Sequence, residues 1–240
     1  MFLTSKIMKY KSIILVCLLC IGVMATAQQV EVGKMTRVNT GTQAYHPIFT
    51  SDGNSILTST EDYIGLSETN LATGKTTILS TEPRAGMNVM LRSINGKSVN
   101  NAGNLKINIV EGNNVTTIAP NGENERYLWP TLSPDGNKIA YTVSGKGSWV
   151  YDIVTGTTTF VGKYRAPQWM GNDYVVAMND SDDGYKITGS KVMVCAANGS
   201  FSQQVTPDDM VCMFPSATEG KIAFHTLEGE IYILDITITK

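Results

Sequence analysis

The chain has 240 residues, 42% of them hydrophobic and only 17% charged, with 22 Gly and 8 Pro. That composition excludes a disordered chain, a coiled coil and a polytopic membrane protein, and it leaves room for one or two domains with a full core. The 19 basic and 21 acidic residues include no basic cluster, so nothing marks a footprint for nucleic acid or an anionic membrane surface.

In chain order, Lys6, Lys9 and Lys11 precede an apolar run over residues 13–24, and Ala25-Thr26-Ala27 follows as the small-x-small pattern a signal peptidase accepts. The run is too short for a bilayer, which needs about 20 residues. Residues 1–27 therefore read as a signal peptide, with Met8 an alternative start. Residues 28–240 read as one mature domain, periplasmic or secreted, with no transmembrane segment. Cleavage removes three lysines and no acid, which takes the net charge from −2 to −5. The competing reading is a lipid anchor at Cys17 or Cys20; Val16 and Leu19 speak against it, because the residue before a lipidated cysteine is small. Cys195 and Cys212 remain after cleavage. An oxidising compartment permits a disulfide between them, and two buried apolar thiols are the favoured reading.

The mature chain repeats itself. His46-Pro47-Ile48-Phe49-Thr50-Ser51-Asp52-Gly53-Asn54 aligns with Trp129-Pro130-Thr131-Leu132-Ser133-Pro134-Asp135-Gly136-Asn137. Weaker copies begin near residues 90, 167 and 215, at a mean spacing of 42, so the 213 residues after Ala27 hold five periods and not six. The third copy reads as four strands, over residues 129–133, 138–143, 148–152 and 157–161, with Asp135-Gly136 and Thr155-Gly156 at the reversals. Four strands in about 40 residues is the blade period of a β-propeller. The expectation is an all-β, five-bladed propeller of four-stranded antiparallel blades. Its last blade lacks an outer strand, which residues 30–38 supply by closing the ring and covering an open edge. Asp52, Gly53, Asp135 and Gly136 recur at tight turns and are expected to be structural.

The run Ser133-Pro134-Asp135-Gly136-Asn137-Lys138-Ile139-Ala140-Tyr141, followed by Val150-Tyr151-Asp152-Ile153-Val154-Thr155-Gly156, resembles the repeat of TolB-type β-propellers, which also occurs in the propellers of prolyl-oligopeptidase-like enzymes. The resemblance covers nearly all of residues 29–240. It implies a propeller of the bacterial envelope that binds proteins or small ligands.

In such a blade the Asp-Gly turns lie on one face, and the segments entering each inner strand lie on the other. Those segments collect Tyr45, His46, Arg84, Arg126, Tyr127, Trp129, Tyr164, Arg165 and Phe214 at one channel mouth. Aromatics and arginines dominate binding hot spots. They also fill cores between blades, and strand alternation lets only about half of them face the channel. The opposite face is expected to offer short turns with little side-chain surface. Asn179-Asp180-Ser181-Asp182-Asp183-Gly184 resembles part of a calcium loop, but Ser190 stands where the closing Glu belongs. No metal or cofactor is expected.

Five-bladed propellers include glycoside hydrolases, whose chemistry needs two carboxylates projecting into the channel. The expected inner strands, residues 47–50, 88–93, 129–132, 167–170 and 214–217, hold no Asp or Glu; Glu82, Glu125, Asp208 and Asp209 lie on connecting loops. The sequence thus favours a non-catalytic envelope propeller that binds or scaffolds a protein, peptide or glycan, and it offers nothing for nucleic acid. The alternative is a propeller glycoside hydrolase or an accessory subunit of an envelope enzyme.

Overall fold

Short runs of β-branched and aromatic residues, broken every few residues by Gly, Asp or Asn, favour hairpin strands over longer elements. The computed structural model describes residues 28–89 and 93–239. Residues 1–27, which the sequence reads as a signal peptide and which include Cys17 and Cys20, lie outside the described residues. β1 (Gln29–Val38) comes first and pairs last. The first blade is β2 (Tyr45–Phe49), β3 (Ser55–Ser59), β4 (Leu66–Asn70) and β5 (Thr76–Ser80). After α1 (Ala85–Val89), the second is β6 (Lys97–Asn101), β7 (Ile107–Glu111) and β8 (Asn114–Ile118). The third is β9 (Tyr127–Leu132), β10 (Lys138–Val143), β11 (Gly147–Asp152) and β12 (Thr158–Gly162), and the fourth β13 (Arg165–Met170), β14 (Tyr174–Asp182), β15 (Ile187–Ala196) and β16 (Ser202–Gln204). The fifth is β17 (Met213–Thr218), β18 (Lys221–His225) and β19 (Ile231–Thr239), with β1 as its outer strand.

The ring closes as the sequence leads one to expect. β1 runs antiparallel to β19 from the pair Gln29 and Thr239 to the pair Val38 and Ile231. The Asp-Gly turns are built alike in both strong copies. Thr50 Oγ1 donates to Asp52 Oδ1 at 2.6 Å and Asn54 N to the same oxygen at 3.0 Å; Ser133 Oγ and Asn137 N bond Asp135 Oδ1 at the same two distances. Gly53 and Gly136 then take φ of 69° and 74°, where a Cβ would strain the chain. These aspartates shape turns.

Between blades, alternate residues interlock. Ile56 and Phe49 of the first blade meet Ala223 and Ile231 of the fifth. Val99 and Ile107 of the second meet Tyr127, Ile139 and Tyr141 of the third. Ala140 and Val150 meet Val175 and Cys195, and Val176 and Val194 meet Phe224 and Leu234. Each fully buried side chain of this kind contributes roughly 1.5–3 kcal/mol. Cys195 and Cys212 belong to two different clusters, and both are buried free thiols.

Among the described residues the second blade has three strands, β6, β7 and β8; α1 covers residues 85–89, and residues 90–92, within the expected inner strand over residues 88–93, lie outside the described residues. This copy lacks the proline carried by every other inner strand. Instead Gly86 brings α1 onto the first blade, where a Cβ would lie 2.4 Å from Ser59 Cβ. Only a glycine permits that approach. Among the described residues, no buried apolar cluster spans the first and second blades. No helix among them is long and apolar enough to cross a membrane.

Candidate binding site at the channel mouth

Four inner strands share an X-Pro step: His46-Pro47, Trp129-Pro130, Ala166-Pro167 and Phe214-Pro215. Proline has no N–H to give the ladder, so the strand must skip a pairing there. All four skip it in the same way. From Tyr45 to Ile48, Leu128 to Thr131, Arg165 to Gln168 and Met213 to Ser216, the inner strand takes three steps against two in its neighbour. The extra residue is a β-bulge, which bends the strand and re-aims side chains. The residue before each proline turns left-handed, with φ of 53° at His46, 50° at Trp129, 50° at Ala166 and 45° at Phe214. That conformation costs about 1–3 kcal/mol in a non-glycine residue, and its fourfold recurrence places the strain at one end of the channel. Two residues further on, Ile48, Thr131, Gln168 and Ser216 form a second tier lining the channel.

The left-handed residues assemble an aromatic cluster. His46 stacks on Tyr63 with ring centroids 3.7 Å apart and 14° between planes, and it meets the edge of Phe214 at 5.0 Å. Trp129 meets Phe214 at 6.3 Å, also edge-on. Beneath them His225 stacks on Phe214 at 5.6 Å and lies 5.3 Å from His46. Ser59 Oγ donates to the Thr60 carbonyl, so His46 Nδ1 must be the donor in its 3.2 Å bond to Ser59 Oγ. His225 Nδ1 donates to the Thr226 carbonyl at 2.9 Å, and its Nε2 is buried without a partner. Burial, reinforced by the neighbouring His225, pushes the His46 pKa down to about 3, and burial pushes that of His225 down to about 4. Both rings are neutral at physiological pH, which makes them hydrogen-bonded supports for the aromatic surface.

A cavity of about 380 Å³ opens at this mouth, walled by Tyr63, Trp129, Met87, Asn100, Asn101 and Gln168 among others. A separate space of about 20 Å³ lies where His46, Gln168, Phe214 and Ser216 converge. On the Asp-Gly side the channel opens into a basin of about 540 Å³ bordered by Thr50, Thr131, Ser216, Thr218 and Glu219. Gln168 touches all three spaces. The Asp-Gly face is therefore not merely a set of short turns, and the buried Ser216 hydroxyl there has no hydrogen-bond partner.

The nine residues singled out in the sequence divide. His46, Trp129 and Phe214 converge at the mouth. Tyr127 is fully buried between blades, edge-on to Tyr141 at 5.5 Å, and Tyr45 is buried against His225 at 5.2 Å. Tyr164 donates to Ser202 Oγ at 3.1 Å within the seam of the third and fourth blades. Arg165 is committed to Asp180, its Nε 2.9 Å from Oδ1 and its second nitrogen on Oδ2. Arg84 and Arg126 are exposed.

Tyr63 and Gln168 escaped the sequence reading, although Tyr63 sits in a connection between second and third strands, which shares the face of the entering segments. Lys106 also escaped it: a buried ammonium that donates to the carbonyls of Glu123 and Glu125 and lies over the Tyr127 ring at 5.6 Å. In the calcium-like stretch, Asp180 serves Arg165, while Asp182 and Asp183 accept backbone N–H groups of Gly184, Tyr185 and Lys186. Among the described residues, no three His, Cys, Asp or Glu side chains come together as a metal site.

Fold and site together define a five-bladed β-propeller with an aromatic channel mouth. No protein-family profile and no curated protein matches the sequence. Among solved structures it is similar to TolB from Acinetobacter baumannii, at 16% identity and a TM-score of 0.39, over 80% of this chain and 54% of that one. It is also similar to a protein named as a TolB from Agrobacterium tumefaciens, at 12% identity and 0.45, over 90% and 100%. A third is an oligogalacturonate lyase from Vibrio parahaemolyticus, at 10% and 0.42, over 80% and 78%. The chain spans about half the length of the Acinetobacter protein. TolB propellers, the family that the repeat resembles, are thus among its structural neighbours.

Proposed function

We propose that this chain is an exported, non-catalytic propeller that recognises a protein, peptide or carbohydrate partner of the cell envelope at the mouth formed by His46, Trp129 and Phe214, with Tyr63 beside them. The observation that carries the reading is the repeated X-Pro bulge. Three left-handed residues gather their rings at one end of the channel, with His46 and Phe214 backing Trp129, which lines the opening. Export rests on the basic, apolar and Ala25-Thr26-Ala27 segments in that order. Against catalysis stands the composition of β2, β9, β13 and β17, which contain no Asp or Glu. With a mature charge of −5, long-range attraction is a weak driver and aromatic burial dominates recognition.

The test is a comparison of wild type with Trp129→Ala once a partner has been captured by crosslinking in the native envelope. Loss of one aromatic anchor costs about 2 kcal/mol, or roughly thirtyfold in affinity, while the half-buried position of Trp129 leaves the melting temperature near that of wild type. Unchanged affinity in a folded variant places recognition elsewhere.

A further inference from the structure

We infer that the 380 Å³ cavity lined by Tyr63, Trp129 and Gln168 is a seat for a neutral sugar ring, an inference that rests on the binding role proposed above.

Three features of the cavity converge on that ligand. The first is its uncharged wall: among the described residues that line it there is no Asp, Glu, Lys or Arg. None of these described residues offers a counter-charge to an acidic sugar, a phosphate or a charged side chain. The second is a pair of fixed rings. Tyr63 is backed by His46 at 3.7 Å, and Trp129 is braced against Phe214 at 6.3 Å, so both stand in place before a ligand arrives. A pyranose presents one face of C–H groups, which is the surface that aromatic rings cover.

The third feature is unspent hydrogen-bonding capacity of both signs. The Gln168 carboxamide and the Tyr63 hydroxyl make no hydrogen bond to a described residue. Asn100 accepts from Asn108 at 3.2 Å and keeps its own amide N–H groups. Asn101 donates to the Tyr127 carbonyl at 2.8 Å and keeps its oxygen. Sugar hydroxyls donate and accept at once, and carboxamides match them in both roles. Beside the cavity, across Gln168, the space at His46 and Phe214 is only about 20 Å³, too small for a second sugar ring.

The experiment titrates the purified mature protein with glucose, galactose, mannose, N-acetylglucosamine, maltose and cellobiose, read by saturation-transfer NMR and tryptophan emission, with glucuronate as the charged comparison. At least one neutral sugar should saturate at millimolar concentration. Trp129→Ala and Gln168→Ala should each weaken it tenfold or more, and glucuronate should bind at least tenfold more weakly than its neutral counterpart. Should Trp129→Ala fail to fold, Trp129→Leu and Gln168→Ala carry the test. Absence of saturation by every sugar to 50 mM, or binding that both variants leave unchanged, overturns the inference. A protein or peptide partner that needs Trp129 while no sugar binds would remove the sugar and leave the binding propeller standing; sugar binding insensitive to Trp129 would count against both.

Discussion

Gln203 grips Val30 by both ends of its peptide unit: its Oε1 accepts the Val30 N–H at 2.9 Å and its Nε2 donates to the Val30 carbonyl at 2.7 Å. One side chain of the fourth blade thus replaces the strand that β1, at the edge of the fifth, does not have on that side. Gln203→Ala should lower stability by about 1–3 kcal/mol in urea unfolding, since two backbone groups lose their partner. Deletion of residues 28–38 should lower the melting temperature far more, because it also removes Val30 from the core beside Leu234 and Ile236. An unchanged melting temperature for the deletion would mean that β1 does not close the ring.

Acid should loosen the seam between the first and fifth blades. The His46 and His225 pKa values, about 3 and about 4 in the folded protein, lie below the ordinary 6.5. The unfolded chain therefore binds protons below pH 6.5 that the folded chain refuses. Stability is full above that value and falls as the pH drops toward 4 and 3. For His225 the loss is on the order of 3 kcal/mol. Asp52, held at about 2 by bonds from Thr50 and Asn54, stays charged through this window and adds slope only below about 4. Urea midpoints at pH 7.5, 5.5 and 4.5 should decline, and His225→Phe should flatten the decline; a level profile in wild type would contradict the neutral pair.

Asp135→Ala should cost about 1–2 kcal/mol of stability, from the lost bonds to Ser133 and Asn137, with binding at the opposite mouth unaffected. A folded variant of unchanged stability that no longer binds would reassign this aspartate from turn to site.

Arg165→Ala should destabilise by about 2 kcal/mol, between the limits for exposed and buried pairs. The arginine is 40% exposed, yet the Asp180 carboxylate that it covers is only 5% exposed. Arg165→Lys should recover little, because a lysine cannot bond both carboxylate oxygens. Thermal melts of the two variants decide it, and wild-type stability in both would free Arg165 for a binding role.

In a chain of residues 28–240, native thiols should resist a disulfide reagent at neutral pH and react to two equivalents only on unfolding. Burial pushes Cys195 up to about 12 and Cys212 to about 11, so neither carries appreciable thiolate. Rapid labelling of the folded protein would show that one of them is open to solvent.

Blade number, closure and turn chemistry could be read from the chain because they depend on local signals repeated in register: Asp-Gly at residues 52–53 and 135–136, and a strand-like run at 30–38 left without a partner. The second blade was opaque for the same reason. It lacks the proline and the turn aspartate, and the close fit of Gly86 on Ser59 is a tertiary fact with no local sign. At the mouth, His46, Trp129 and Phe214 were legible as residues before a recurring proline. What the sequence could not separate were their neighbours in the same segments, since Tyr45 and Tyr127 differ from them by one or two positions along a bulged strand and so point into the core. Gln168 was hidden by its ordinary type, and only the bulge puts it on the axis.

Because Gln29 sits opposite Thr239, the backbone is nearly a loop. A short linker between these residues would make the chain formally endless, and new ends could then be opened at the Asp-Gly turn of either strong copy. Such circular permutants would keep the same blades while changing the order in which they are synthesised, which would separate what the propeller owes to its geometry from what it owes to the chain order of its strands.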